Sequence, residues 1–177
     1  MATKTRPWTR AELVRLPDDG NRYEVLHGDL LVTPLPSIPH QAVALMLGGL
    51  ISAYCRRHGV GFASAPGAVP NGDNELQPDI AVFLGVGMRD AAKWEDLPLP
   101  TLVVEVLSPA TQRRDLVSKR TAYLRWGIPE YWIVDTEKRQ VTAIRPGGDD
   151  ERVTDTLRWQ PRPDVPALEI KLDELFR

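Results

Sequence analysis

The sequence predicts an α/β or α+β fold in which helices pack on a mixed sheet. Two continuous apolar runs, at residues 77–84 and 101–107, indicate strands that are buried on both faces. In residues 37–58 the apolar residues have the spacing of a long helix, and further strand and helix patterns follow in mixed order. Because 177 residues suffice for one well-packed domain and are few for two, we expect a single domain over residues 1–177.

Composition and charge are those of an ordinary soluble protein, with 42% hydrophobic and 26% charged residues. Proteins that depend on non-specific phosphate contacts are usually basic, so a net charge of −2 means that any nucleic-acid contact must come from a local patch. The single cysteine, Cys55, excludes an intramolecular disulfide and suits a reducing cytosol. The apolar stretch at residues 42–55 is too short to span a membrane, and no apolar signal region precedes it. We therefore expect a cytoplasmic protein without membrane contact.

The amino-terminal region is predicted to form a short helix and a hairpin. The capping-box spacing from Thr9 to Glu12 opens a helix that should end before Pro17. Residues 23–26 and 29–32 have strand character, and Gly28 supplies the positive φ of a tight turn between them.

A long helix follows, with Ser37 as its cap and Gly59 as its end. On a wheel of about 100° per residue, His40 lies on the apolar side of this helix, together with Val43, Leu47, Ile51 and Tyr54. His40 is interpreted first as a capping or core histidine. Its place in the first turn also allows it to touch phosphate or to position water.

The later elements are shorter. Residues 60–77 are rich in Gly, Pro, Asn and Asp and predict strand fragments joined by a loop at residues 71–74. Residues 89–96 are predicted to be helix or loop. Residues 131–134 and 140–144 are predicted to be strands of a second hairpin.

Glu105 is the residue that most needs an explanation, because it stands in an apolar strand where a valine would be expected. An unpaired buried charge costs several kcal/mol even after relaxation. Glu105 is therefore protonated, paired with a cation or bound to a metal.

Asp79 lies near the start of the other apolar run. Mg²⁺ is commonly held by one or two carboxylates with water and substrate phosphates, so the pair Asp79 and Glu105 could hold one ion if their strands are adjacent. The alternative is that Asp79 ends a turn while Glu105 pairs with a nearby arginine. The residues alone leave these two interpretations about equal.

Lys119 adds a cation to this pair. If residues 112–126 are helical, the wheel places Lys119 in the middle of an apolar face with Leu116, Tyr123 and Trp126. The opposite face holds Arg114, Ser118, Thr121 and Arg125. The ordinary interpretation is that Lys119 extends to water along its aliphatic stem. However, the helix directly follows the Glu105 strand, so its inner face should bring the ammonium towards the two carboxylates.

Several phrases of the sequence resemble the Uma family of PD-(D/E)XK restriction-endonuclease-like proteins. Pro78-Asp79 followed by Glu105-Val106-Leu107 is similar to the PD-(D/E)XK motif, and residues 23–29, 105–111 and 127–135 are similar to family phrases. The resemblance covers about residues 20–145. It departs from the general motif at Leu107, where the superfamily has lysine. In the Uma-type variant the lysine has moved to the following helix, a position that Lys119 fits.

The resemblance implies a restriction-endonuclease-like core with flanking helices and an N-terminal hairpin. The long helix and the Lys119 helix would lie on opposite sides of the sheet or flank its site end. It also implies a nuclease that hydrolyses phosphodiester bonds, most often of DNA, with Mg²⁺ or Mn²⁺ held by Asp79 and Glu105. Lys119 would orient the attacking water or stabilise the transition state.

Other residues are expected to support this site. Glu24, His40 and Gln77 are assigned supporting roles, although Glu24 could equally be an exposed strand residue. Arg113 and Arg114 could hold neighbouring backbone phosphates, with a solvated helix face as the alternative.

Two further functions remain open at this point. The Leu107 departure and the acidic balance favour a catalytically silent binding module of the same fold. The five tryptophans and residues 168–172, which alternate like an edge strand before a last helical turn, favour an oligomeric scaffold. The same features predict a homodimer. No zinc pattern, phosphate-binding glycine loop or Ser/His/Asp spacing competes with the nuclease prediction.

Overall fold

The structure is a computed structural model that describes residues 6–108 and 114–177, without the side chains of residues 114 and 115. The strands are β1 (Arg22–Leu26), β2 (Asp29–Thr33), β3 (Gly61–Ser64), β4 (Val69–Asn71), β5 (Asn74–Leu76), β6 (Ile80–Leu84), β7 (Leu102–Val106), β8 (Glu130–Asp135), β9 (Gln140–Ile144), β10 (Glu151–Val153), β11 (Thr156–Trp159) and β12 (Leu168–Lys171). The α-helices are α1 (Ile38–His58), α2 (Arg120–Trp126) and α3 (Leu172–Leu175). Arg10–Arg15 and Trp94–Asp96 are 3-10 helices, and Arg114–Lys119 is a π-helix.

The main sheet has six strands in the order β10-β9-β8-β7-β6-β3. β7 and β8 are parallel, because the chain between them crosses over through α2, and the other neighbours are antiparallel. The predicted mixed sheet with packed helices is confirmed. All five residues of β7 are buried, as expected for a strand covered on both faces.

The two principal helices cover opposite faces of this sheet. On one face, Leu47 and Ile51 of α1 belong to the same buried cluster as Val104. On the other face, Tyr123 of α2 packs with Val103 and Tyr131. Since Val103 and Val104 are successive strand residues, their side chains point to opposite faces of the sheet. The helices that pack against them therefore lie on opposite faces. This arrangement is one of the two that the resemblance implies.

Helix α1 matches the predicted helix at both ends, since it follows Ser37 and ends at Gly59, whose φ is 60°. His40, Val43, Leu47, Ile51 and Tyr54 are all buried, which confirms the predicted core face. By length and composition alone, α1 could cross a membrane, with a mean hydropathy of 1.3. Its inner residues, however, pack against the main sheet, so its apolar composition follows from its place in the core.

The N-terminal hairpin is confirmed, with all five residues of β1 paired to β2. Its turn has positive φ at His27 and Gly28, of 53° and 87°. The predicted helix at Thr9 is present as a 3-10 helix with its capping box. β5 pairs with the free edge of β1 through Val25 and Glu75, which builds a second sheet in the order β2-β1-β5-β4.

Two parts of the fold differ from the sequence prediction. Leu116 is 38% exposed, whereas the wheel places it on the buried face. Residues 114–119 are π-helical, with bonds from i to i+5, so a rotation of about 100° per residue does not hold there. Strands β10 and β11 were also not predicted, because they have only three and four residues and β10 is mostly exposed.

Candidate active site

Asp79 and Glu105 are neighbours at one end of the adjacent strands β6 and β7. Ile80 lies opposite Val104 in the antiparallel pair β6 and β7, so the preceding residue, Asp79, lies beside Glu105. The main-chain N–H of Val106 donates a 2.8 Å hydrogen bond to Oδ2 of Asp79. The predicted adjacency of the two acidic residues is therefore present in the fold.

Glu105 belongs to a buried group that we call the Lys119 cluster, formed by Glu24, Glu105, Lys119 and Tyr123. Nζ of Lys119 lies 2.8 Å from Oε1 of Glu105 and 2.9 Å from Oε1 of Glu24. The Tyr123 hydroxyl donates a 2.9 Å hydrogen bond to the same Glu105 oxygen. The ionic side chains are at most 3% exposed, so these charges interact away from bulk water.

The Lys119 cluster contains two carboxylates and one ammonium. The main-chain N–H of Gln77 donates to Oε1 of Glu24 at 2.7 Å, but Oε2 of Glu24 is buried without a hydrogen-bond partner among the described residues. Burial, together with the charges of Glu105 and Glu24, raises the pKa of Tyr123 well above its usual value. Tyr123 therefore stays protonated and acts as a donor to Glu105.

Asp79 belongs to a second group, the Asp79 cluster, with Arg22 and His40. Nη2 of Arg22 donates to Oδ1 of Asp79 at 2.8 Å, and Nε2 of His40 lies 3.1 Å from Oδ2. Burial alone would raise the pKa of Asp79, but the His40 hydrogen bond and the Arg22 charge outweigh it and lower the pKa. Burial likewise opposes ionisation of Arg22, and the charges of Asp79 and Glu105 still raise its pKa. Asp79 is thus held as a carboxylate.

Two further contacts fix this cluster in the fold. Nη1 of Arg22 donates to the carbonyl oxygen of Gln77 at 2.7 Å, which ties the hairpin to the segment before Asp79. His40 reaches Asp79 from the first turn of α1 and is buried, while its Nδ1 has no hydrogen-bond partner among the described residues. His40 lies on the core side of α1, as predicted, and its side-chain partner there is Asp79.

The structure brings together six of the predicted residues: Asp79, Glu105, Lys119, Glu24, His40 and Gln77. The interpretation of Glu24 as exposed is wrong, because β5 and the Lys119 helix enclose β1. The interpretation that Lys119 extends to water is wrong as well, since two carboxylates hold it inside. Arg113 lies outside the described residues, and of Arg114 only the backbone is described.

Arg22 and Tyr123 also contact the site residues and were not predicted to do so. Signals for both exist in the sequence. Arg22 precedes Glu24 by two residues in a strand and so shares its face. Tyr123 follows Lys119 by four residues and lies on the same side of a helix.

The donor atoms fit a hard divalent cation in part. Among the residues with described side chains, no group of three His, Cys, Asp or Glu is arranged to hold a metal ion. A carboxylate has about four acceptor positions, and Arg22, His40 and Val106 occupy three of those on Asp79. The partnerless oxygen of Glu24 is a further acceptor. Oxygen donors of this kind suit Mg²⁺ or Mn²⁺ when substrate phosphate and water complete the coordination.

Comparison with known proteins identifies the family and the fold of the chain. The Uma2 family, described as putative restriction endonuclease, matches residues 10–173. A solved structure titled as a putative nuclease belonging to DUF820, from Anabaena variabilis ATCC 29413, is similar with a TM-score of 0.74. The two chains are 22% identical, and the similarity covers 96% of this chain and 98% of the other, which shows a shared fold. No curated protein matches the sequence. Because the family match extends over nearly the whole chain, this protein belongs to the Uma2 family and has a restriction-endonuclease-like fold.

Proposed function

We propose that this protein is a divalent-metal-dependent nuclease that hydrolyses phosphodiester bonds of DNA. The observation that carries the proposal is that the Lys119 cluster and the Asp79 cluster meet at the same end of β6 and β7. Three buried carboxylates gathered beside a lysine are a costly arrangement for a fold to maintain without a functional reason. Membership of the Uma2 family supports the nuclease class.

Phosphodiester hydrolysis needs a nucleophilic water and groups that neutralise the charge developing on the phosphate. Asp79 and Glu105 are the residues that would hold Mg²⁺ or Mn²⁺. The ion, when bound, would supply Lewis-acid stabilisation of that charge and would lower the pKa of water.

The ammonium of Lys119 contacts Glu105 directly and would stabilise the negative transition state or orient the attacking water. Tyr123 and Arg22 act through the carboxylates rather than on substrate. Tyr123 holds Oε1 of Glu105, and Arg22 holds Oδ1 of Asp79. Arg113 and Arg114 stay predictions as phosphate-binding residues.

The experiment is a cleavage assay on single-stranded, duplex and branched DNA, and on RNA, with Mg²⁺ and with Mn²⁺. The double variant Asp79→Asn, Glu105→Gln keeps the side-chain shapes and removes both negative charges. Arg162→Gln is the matched control, since its partner Asp164 lies in an exposed surface pair. Metal-dependent cleavage that the control keeps and the double variant loses supports the proposal. Absence of cleavage by the native protein on every substrate would overturn it.

A catalytically silent nucleic-acid-binding module is the second candidate, and one observation favours it. Asp79 already receives three donors, so its charge is compensated without a metal. This candidate predicts nucleic-acid binding that does not change when Mg²⁺ is added, and no turnover.

We also propose a cytoplasmic homodimer. Burial raises the pKa of the Cys55 thiol to about 11, which makes it an inert core residue suited to a reducing compartment. Trp132 and Trp159 are buried and contribute nothing to the predicted tryptophan interface, whereas Trp94 is 36% exposed. The outer side of α1 is the better surface, because Ile38, Leu45 and Met46 are exposed there. Sedimentation at micromolar concentrations tests the dimer, and a monomeric mass would contradict it.

A further inference from the structure

A polar cleft with a volume of about 250 Å³ lies beside the candidate active site, on the face of the sheet that carries Glu105. Leu107 and Ile133 line its inner end, and Arg120, Lys138 and Arg152 bring positive charge to its walls. The catalytic contacts described above do not use this cleft.

Strand register shows how the cleft connects to the site. Glu105 is paired with Ile133, Ile133 with Thr142, and Thr142 with Arg152. These four residues form one row across β7, β8, β9 and β10, with paired residues on the same face of the sheet. Three strand spacings of roughly 4.8 Å place Arg152 about 14 Å from Glu105 in the direction of the row.

The charges of the cleft suit a polyanion. Among the described residues that line the cleft, three cations, Arg120, Lys138 and Arg152, face two acids, Asp135 and Asp150, which gives this lining a net positive charge on a protein whose net charge is −2. The guanidinium of Arg152 has no ion-pair or hydrogen-bond partner among the described residues. Arg120 holds Asp150 through two hydrogen bonds of 2.7 and 2.8 Å, in the fork geometry that also fits phosphate.

The Arg120 pair can be exchanged for a ligand at small cost. Its two side chains are 36% and 38% exposed, and ion pairs with such exposure contribute little to stability. A phosphate could therefore replace Asp150 at the guanidinium. Arg120 also lines the cleft together with Leu107, which follows Glu105 by two residues, so this contact would lie near the Glu105 end of the row.

We infer that this cleft binds the sugar-phosphate backbone of the nucleic acid a few nucleotides away from the bond that is cut. The inference rests on the proposed nuclease function for its substrate class. The nucleic-acid strand follows the row of residues from Glu105 towards Arg152. Arg120 and Arg152 bind its phosphates. An acidic protein thereby obtains the local basic patch that nucleic-acid binding requires.

The test uses Arg152→Glu, with Arg158→Glu as the matched control. Arg158 is an exposed arginine on β11, whose neighbours Leu157 and Trp159 pack on the α1 side of the sheet. Binding of a labelled oligonucleotide that reaches past Arg152 is measured by anisotropy over a range of salt concentrations. Arg152→Glu should weaken binding and lower the salt slope by about 1, the effect of one lost phosphate contact, and Arg158→Glu should not.

Hydrolysis of bis(p-nitrophenyl) phosphate separates this inference from the proposed function. This small diester cannot reach across about 14 Å of sheet, so both variants should hydrolyse it like the native protein. If the native protein hydrolyses neither DNA nor the small diester, the nuclease proposal fails. The inference about the cleft is still supported in that case if Arg152→Glu weakens oligonucleotide binding and Arg158→Glu does not. If the native protein cuts DNA while the two variants bind it equally, or if it binds no nucleic acid, the cleft inference is overturned. Circular dichroism confirms that both variants fold, and Arg152→Ala repeats the test without charge reversal.

Discussion

The two halves of the candidate site solve the problem of a buried carboxylate in opposite ways. In the Asp79 cluster, one carboxylate receives a guanidinium, an imidazole and a main-chain N–H. In the Lys119 cluster, two carboxylates share one ammonium, and one oxygen of Glu24 has no partner among the described residues. The Asp79 carboxylate is therefore compensated by direct contacts, whereas the Lys119 cluster has two carboxylates for one ammonium and interacts with the Arg22 charge at longer range.

This difference indicates where a cation would contribute most. A cation that binds to the Asp79 cluster must compete with Arg22, whose side chain is 19% exposed. Adding it to the other half relieves repulsion between Glu24 and Glu105 in a region nearly without solvent. A divalent ion should thus bind mainly because of the Lys119 cluster, while Asp79 supplies an oriented oxygen.

Lys119→Met should have the largest effect. The methionine keeps the apolar stem but leaves two adjacent buried carboxylates without their shared cation, which should cost about 3–5 kcal/mol of unfolding free energy. In a domain of this size the melting temperature should fall by on the order of 10 °C. If the ammonium also serves the transition state, turnover should fall by about 10²–10³. Thermal unfolding and steady-state kinetics measure the two effects.

The combination Lys119→Met with Glu24→Gln is the control for this prediction. Removing one of the two carboxylates should recover part of the lost stability without recovering turnover. Mg²⁺ should also restore stability to the single variant by binding the folded state. A Lys119→Met protein with native stability and native turnover would contradict the described cluster.

Arg22→Met should have a smaller effect, because Asp79 keeps its hydrogen bonds from Val106 and His40. The loss of the charged hydrogen bond to Asp79 predicts about 1.5–3 kcal/mol, and the bond to the carbonyl oxygen of Gln77 is lost as well. Urea unfolding of this variant beside Lys119→Met measures the comparison directly. A larger loss of unfolding free energy for Arg22→Met than for Lys119→Met would contradict the conclusion that the Asp79 cluster is the better compensated of the two.

Much of this site could be predicted from sequence, and the missing parts have physical causes. Asp79 and Glu105 are visible because a carboxylate in an apolar strand must have a partner. Lys119 is the last residue of the π-helix and directly precedes α2, so the regular turn of α2 separates it from Tyr123, whereas Leu116 lies within the π-helix, where the wheel fails. The burial of Glu24 and the role of Arg22 depend on β5 pairing with β1. That contact joins distant parts of the chain through a single bridge, and local residue patterns contain no signal for it.

The smallest effect concerns acid stability. The pKa of Asp79 is lowered in the folded state from 3.8, so its charge stabilises the fold above that pH. This stabilisation is lost as the pH falls through the lowered folded pKa. Asp79→Asn should therefore be less stable than the native protein at neutral pH, and the difference should shrink below about pH 4. Unfolding measured for both proteins from neutral to acidic pH checks this, and a difference that grows towards acid pH would contradict it.

Calorimetric titration with Mn²⁺ and Mg²⁺ tests most directly whether the two clusters form one metal site. The native protein should bind a divalent ion, Glu24→Gln should bind it more weakly, and the double variant Asp79→Asn, Glu105→Gln should not bind it. Arg162→Gln should titrate like the native protein. Equal binding by the native protein and the double variant, or no binding by the native protein, would contradict a metal site built from Asp79 and Glu105.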